Sequence, residues 1–426
     1  MPAYLKRVAA QPPQASADVE TAVRAMLADI AAHRDAAVRR YARQLDAWDQ
    51  DTFRVSADDI RRAERELPET FKDDFAYCHR QITGFARHQL DSMREFEVET
   101  EPGIILGQKL LPVSGVGCYI PGGKYPLISS AIMSIGTAKA AGVGYVVGCA
   151  PPRDGEGIFP ATLYAMHASG ANEIFAIGGV QALAAMAYGC VGIRPVDLIT
   201  GPGNPYVAEA KRQLFGVAGI DLLAGPTEIM IIADETADAA LVATDLLGQA
   251  EHGPDSPAWL ITTSRRLGEE VLFEIEQQLE TLPTAEIAGA AWRKLGEVAV
   301  VDSDEEAIAL SDAYAPEHLE LMTARNDHFL NSLQNYGSLF VGEESTVAYG
   351  DKGVGTNHTL PTGRAARYTG GLWVGKFIKT VTYQRLTPEA SRRIAPVMSR
   401  MCAAEGMLAH QKTADIRYRN YAEDTS

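Results

Sequence analysis

The chain has 426 residues, enough for two or three domains and a large buried core. A hydrophobic share of 46% and a charged share of 22% are those of an ordinary soluble globular protein. A net charge of −16 argues against a nucleic-acid partner, no apolar run is long enough to span a bilayer, and Met1–Arg7 offers no apolar signal core, so a cytoplasmic protein is expected.

Residues 17–94 read as helices. Val23, Met26, Leu27 and Ile30 supply the apolar stripe of a helix over 19–33, and helices over 57–66 and 69–95 follow. His33, His79 and His88 stand among charged neighbours and read as solvated. From about 104 the rhythm changes. Apolar runs at 116–120, 145–149, 173–177, 197–200 and 228–233 alternate with helical patterns at 129–141, 160–168, from 181, and 206–214. Such alternation indicates a parallel sheet covered on both faces. Several of these runs end in glycine before the next helix: Pro121-Gly122-Gly123, Gly178-Gly179 and Gly201-Pro202-Gly203-Asn204. The carboxyl edge of an α/β sheet is where ligands bind, and backbone N–H groups there suit phosphates. The chain has no G-x-G-x-x-G, so tight turns account for these glycines almost as well as a nucleotide does.

A helix over 239–250 closes with Gly248-Gln249-Ala250-Glu251-His252-Gly253-Pro254. Gln249 and His252 are three apart and share a helix face. They are either two corners of a metal site or caps of the helix end. More α/β pattern follows: runs at 260–262, 298–301 and 338–341, and helices at 267–279 and 304–313. Ala315-Pro316-Glu317-His318 sets a carboxylate beside an imidazole just before a short strand at 318–322. Neighbours on a strand point to opposite faces, so one site can use both only if the backbone is irregular there. The imidazole suits general-base work on a hydroxyl. Gly350-Asp351-Lys352-Gly353 to Asn357-His358 is a glycine-rich loop with Asp and His seven apart. From 387 the pattern is helical again. Glu405 and His410 lie five apart, and reach one site only if that helix bends. The five cysteines stand singly, which excludes a disulfide framework and thiolate zinc.

Taken together these stretches resemble the histidinol dehydrogenase family over about 15–415. The motifs that carry the resemblance are Gly201-Pro202-Gly203-Asn204, Ala224-Gly225-Pro226-Thr227-Glu228, Gly248 to His252, Ala315 to His318, Gly350-Asp351, Asn357-His358-Thr359-Leu360-Pro361-Thr362, and Glu405 to His410. The resemblance implies zinc on Gln249, His252, Asp351 and His410. It implies catalytic roles for Glu317 and His318, and NAD contacts at Tyr119, Gln181 and Asn204. It implies substrate contacts at Thr227, Gln249, His252, His318, Asp351, His358, Glu405 and His410. It implies a homodimer in which the C-terminal tail completes the neighbour's site.

The fold expected is α/β: two incomplete Rossmann-like units with mostly parallel sheets, plus helical N- and C-terminal segments. The domains expected are an arm over 1–14, a first α/β domain over 15–122 and 228–371, an NAD-binding domain over 123–227, and a helical tail over 372–426. The function expected is NAD-linked oxidation of a small primary alcohol, through a bound aldehyde, to the carboxylate.

Thr227 stands where the biosynthetic enzyme usually has serine. Residues 95–99, Cys118-Tyr119, Tyr125, Tyr349, Lys352, Arg364, Arg367 and Trp373 also differ from that enzyme, and many of these positions look like the sulfopropanediol dehydrogenase branch, whereas Gly122-Gly123-Lys124 and Ala315-Pro316 look like the general family. The lean is to a small anionic diol such as 2,3-dihydroxypropane-1-sulfonate, with L-histidinol as the alternative. A zinc hydrolase could use the same ligands but leaves the glycine-ended strands without a purpose. A binding protein without catalysis would have no need of Glu317 and His318.

Overall fold

The computed structural model describes residues 2–8, 17–122, 126–153 and 155–421. Tyr125, Gly123 and Lys124 lie outside the described residues. The strands are, in order, β1 (Ala3–Lys6), β2 (Phe96–Glu101), β3 (Ile104–Pro112), β4 (Gly115–Tyr119), β5 (Tyr145–Ala150), β6 (Glu173–Ala176) and β7 (Leu198–Thr200). There follow β8 (Gly219–Ile220), β9 (Ile229–Ala233), β10 (Ala258–Thr262), β11 (Glu297–Val300), β12 (His318–Met322), β13 (Ser338–Val341) and β14 (Ile378–Leu386). The chain divides into two compact units, Met1–Leu90 with Val113–Phe377, and Asp91–Pro112 with Ile378–Ser426.

The first unit holds two sheets. One has the order β1-β11-β10-β9-β12-β13, parallel except for the edge strand β1. The other has the order β6-β5-β4-β7-β8 and is parallel throughout. Every residue of β4, β9, β10 and β12 is buried. For β4 and β9 that follows from composition, because a strand covered on both faces tends to be apolar along its length, whereas β10 also buries Thr262 and β12 buries His318 and Glu320. Each Ile or Leu so buried contributes roughly 1.5–3 kcal/mol. Val38, Leu183, Met186 and Ile199 belong to one core against the five-stranded sheet, and Ile231, Leu246, Leu260 and Trp292 to another on the six-stranded one.

Local chemistry sets the helix ends. Ser56 and Asp59 form a capping box at the start of Ala57–Glu66. Asn204 caps Pro205–Leu214, with proline at the first helical position. The helix expected to end at 33 kinks at Arg34, whose φ is 49°, and continues to Leu45. Ser129–Ala140 contains a π-turn at Ile132–Gly136. There Asn357 Nδ2 donates to the Met133 carbonyl at 2.8 Å.

The second unit corrects two expectations. Its sheet, β14-β3-β2, is antiparallel, and Leu386 leads into the helices Pro388–Ala404 and Leu408–Asn420. The helix expected to reach 95 ends at Asp91, and the tail expected to be helical from 372 carries only a short 3-10 helix, Val374–Phe377, before strand β14. These strands mix polar and apolar residues, and β2 is exposed along its whole length, so no continuous apolar run announces them. The boundary expected at 122 also moves, because β4 hydrogen-bonds to β5 and β7 and so belongs to the five-stranded sheet. His79 is half-buried and stacks on Phe75.

Candidate active site

The catalytic and ligand residues expected from the first unit gather at the amino ends of β9 and β12. Thr227 and Glu228 enter β9, while His318 opens β12. Gln249 and His252 come from the carboxyl end of Ala239–Ala250, which runs back against β9. This is the opposite edge from the one α/β sheets commonly use. Glu317 and His318 do share one site. Ala315 takes a left-handed φ of 50° as it ends the helix Asp304–Tyr314, so Glu317 falls before the strand rather than inside it.

Hydrogen bonds fix the arrangement. Glu317 Oε2 accepts from Thr227 Oγ1 at 2.5 Å and from the Glu228 backbone N–H at 2.9 Å. His318 Nδ1 lies 3.0 Å from the Glu228 carbonyl and 3.3 Å from Glu317 Oε2. Nδ1 therefore carries a proton, and Nε2 is buried with no hydrogen-bond partner among the described residues, 3.9 Å from Asp351 Oδ1. The Gln249 amide nitrogen donates to Thr227 Oγ1 and lies 3.5 Å from His318 Nδ1. Its oxygen is the end that remains for a cation. His358 places Nδ1 2.8 Å from the Asp351 carbonyl and Nε2 3.2 Å from Ser130 Oγ, so both ring nitrogens are engaged.

Charge follows from these contacts. Burial pushes Asp351 up, but His358, His318, Lys352 and His252 outweigh it and hold the carboxyl below the usual range. Burial lowers both His252 and His358 despite the pull of Asp351, which favours the neutral ring in each. His252, at the open rim, is thus favoured in the form that binds metals. Gln249, His252 and Asp351 offer nitrogen and oxygen donors of the kind a borderline divalent ion takes. Among the described residues no three His, Cys, Asp or Glu side chains are arranged to hold a metal.

The residues expected at the cofactor occupy the carboxyl edge of the five-stranded sheet. The strand order turns there, since β5 and β6 lie on one side of β4 and β7 on the other. Tyr119 ends β4, and its hydroxyl accepts from the Gly179 N–H at 3.3 Å. Gln181 is fully buried; its nitrogen donates to Asp46 Oδ2 at 2.9 Å, while its oxygen has no partner among the described residues. Asn204 is exposed at the end of its loop. The Ser130–His358 contact joins this edge to the amino edge of the six-stranded sheet.

Comparison with known proteins identifies the family. The sequence pattern of the family described as Histidinol dehydrogenase matches residues 9–418. The chain belongs to that family. A "Histidinol dehydrogenase homolog" of Shouchella clausii is 54% identical over 405 residues, covering 95% of each chain. The "Sulfopropanediol 3-dehydrogenase" of Ruegeria pomeroyi is 47% identical over 423 residues, covering 99% of this chain and 97% of the relative. The crystal structure of histidinol dehydrogenase from Elizabethkingia anophelis superposes with a TM-score of 0.91 at 35% identity, covering 96% of this chain and 94% of that one. Membership in the histidinol dehydrogenase family makes the chain an oxidoreductase by class.

The two remaining residues that the family resemblance singles out, Glu405 and His410, lie in the second unit. The helix breaks between them: Glu405 ends one helix, Gly406 has a φ of 72°, and Leu408 starts the next. No residue of Leu408–Asn420 is buried.

Glu228 was missed as a site residue. It opens an apolar run and reads as a strand end; the signal was a charge standing directly before five residues that are all buried. Its carboxyl accepts from the Gly363 N–H at 3.2 Å and from the Glu317 backbone. Burial first, and then the charge of Glu317, push it from 4.5 up to about 8. Across that window the folded chain keeps a proton that the unfolded chain has released, so its stability falls as pH rises. The contribution is whole below the unfolded value and gone above the folded one. At about 1.4 kcal/mol per unit, the loss is on the order of 5 kcal/mol. Glu228→Gln is expected to remove it, and thermal melts of both proteins between about pH 5 and pH 8 check this. A constant difference in melting temperature would show that Glu228 is not the group that titrates.

Proposed function

We propose that this chain is a zinc-dependent, NAD-linked dehydrogenase that oxidises a small primary alcohol through a bound aldehyde to the carboxylate. The observation that carries the reading is His318. Its Nδ1 is committed to the Glu228 carbonyl, and its Nε2 is buried, without a hydrogen-bond partner among the described residues, and turned toward Asp351. An imidazole so held has one lone pair to offer and one direction in which to offer it.

Each oxidation removes a hydride from carbon and a proton from oxygen, and the second also consumes a water. His318 Nε2 is the acceptor for the hydroxyl proton. Glu317, oriented by Thr227 and the Glu228 N–H, is the base that takes a proton from the water adding to the aldehyde. Gln249, His252, Asp351 and His410 would hold zinc, which when bound would anchor the substrate and favour loss of its hydroxyl proton. Tyr119, Gln181 and Asn204 would hold NAD, which accepts the hydride. Thr227, Glu405 and the zinc-site residues would line the substrate, with His358 steadying Asp351 from behind. His410 and Glu405 would come from the partner in a cytoplasmic homodimer. A hydrolase has no use for the cofactor edge.

The substrate we favour is a small anionic diol such as 2,3-dihydroxypropane-1-sulfonate, over L-histidinol. Its support is the identity to the sulfopropanediol relative and the place of Lys352, with Nζ 3.7 Å from Asp351 Oδ2. Arg364 and Arg367 are exposed, and Arg364 has a left-handed φ of 68° beside Gly363. NADH absorbance against a panel of alcohols tests this. Turnover of the sulfonate diol is expected, with L-histidinol poorer; NADH from none of the panel would sink the reading. Lys352→Ala is expected to raise KM for the sulfonate about tenfold and to leave KM for an uncharged diol nearly unchanged. Equal effects on both would detach Lys352 from the anion.

A further inference from the structure

We propose that Lys211 and Asp221 are positioning residues that set the Gly201–Asn204 loop for the dinucleotide. Their side chains are 2% and 0% exposed, and they form an ion pair beneath that loop. Lys211 reaches back from Pro205–Leu214, and Asp221 follows β8. Asp221 Oδ2 accepts from Thr200 Oγ1 at 2.8 Å and from the Gly201 N–H at 2.9 Å. Lys211 Nζ donates to the Gly201 carbonyl at 3.0 Å. The pair therefore grips Gly201 by both its N–H and its C=O.

Gly201 is the residue on which the loop turns. Its φ is 122°, and a Cβ there would lie 2.1 Å from the Tyr119 carbonyl oxygen. The grip thus holds the backbone of Gly201 against the end of β4, beside Tyr119, and starts the turn that ends at Asn204. An ion pair buried this deeply is costly to desolvate, and apolar residues of the same size often stabilise a core as well. What apolar residues cannot do is hold two specified peptide groups in one orientation. A cofactor loop misplaced by about 1 Å loses much of its affinity.

The inference rests on the reading of Tyr119 and Asn204 as NAD contacts, and its test separates the two. Four variants of the full-length enzyme are needed: Asn204→Ala, Thr200→Val, Lys211→Met, and Lys211→Met with Asp221→Asn. The readouts are NADH binding by fluorescence titration, KM for NAD and for the alcohol, and thermal unfolding. The double variant removes both charges together and is expected to fold. Its Kd for NADH and KM for NAD are expected to rise about tenfold, with KM for the alcohol within about twofold of wild type. Thr200→Val leaves the ion pair whole and is expected to weaken NADH binding a few-fold, which keeps the test open if the charge variants do not fold. Unchanged NADH binding in folded pair variants and in Thr200→Val, with weakened binding in Asn204→Ala, overturns the inference and leaves the cofactor site standing. Unchanged binding in Asn204→Ala as well overturns both.

Discussion

Replacing His318 with alanine is expected to leave a folded enzyme with its metal bound and turnover reduced about 10²- to 10⁴-fold. The ring is 3% exposed, and its Nδ1 is spent on a backbone carbonyl. Removing it costs some packing against Phe340, whose ring centroid lies 6.0 Å away. Its main effect is to leave the hydroxyl proton without an acceptor. Burial draws the imidazole toward its neutral form, but Glu317 and Asp351 outweigh burial and raise it to about 9. A base must first shed its own proton, so wild-type turnover is expected to climb with pH. A cation bound by Asp351 weakens that pull and moves the rise to lower pH. His318→Ala should flatten the rise. The checks are steady-state NADH production across pH, metal content and circular dichroism. Near wild-type rates at neutral pH would remove His318 from proton transfer.

The second large effect concerns the metal. His252→Ala and His410→Ala are each expected to lose zinc and activity together, because each removes one of four donors. They should differ in what mixing does. If His410 serves the neighbour's site, a mixed dimer of the two variants has one site with both defects and one with neither. Unfolding and refolding an equal mixture should then recover roughly a quarter of wild-type activity. Either protein alone should recover none. Full zinc in both variants by elemental analysis would refute the ligand set. A mixture that forms dimers but stays inactive would place His410 in its own chain's site.

Much of the first unit was legible because its strands are buried on both faces. β9 is an apolar run of five and β10 a run of four closed by Thr262, and nothing but a covered sheet or a core helix accommodates them. β2 and β14 were not legible, because exposed strands have no need of a pattern. At the site, the residue types were readable but their convergence was not. Whether Glu317 could face the same way as His318 turned on the conformation of Ala315, an alanine in a region that favours glycine. Glu228 and Asp221 were passed over because a charge at a strand end looks like solvent exposure, whereas both are buried and bonded. His410 stands in a helix with no buried residue, so local sequence held no reason for it; only the resemblance did.

The π-turn at Ile132–Gly136 has a bearing on what this sequence can tolerate over time. The bulge holds one residue more than a regular helix would, and it turns the Met133 carbonyl out to Asn357. Deleting any single residue from 132–136 would heal the helix and rotate everything before it by about 100°. Ser130 would swing away from His358, and Asn357 would lose its anchor, though no side chain of the site had been altered. Point substitutions in this turn can therefore drift while its length stays fixed, and a shortened turn is expected to disable the enzyme more thoroughly than most changes of residue there.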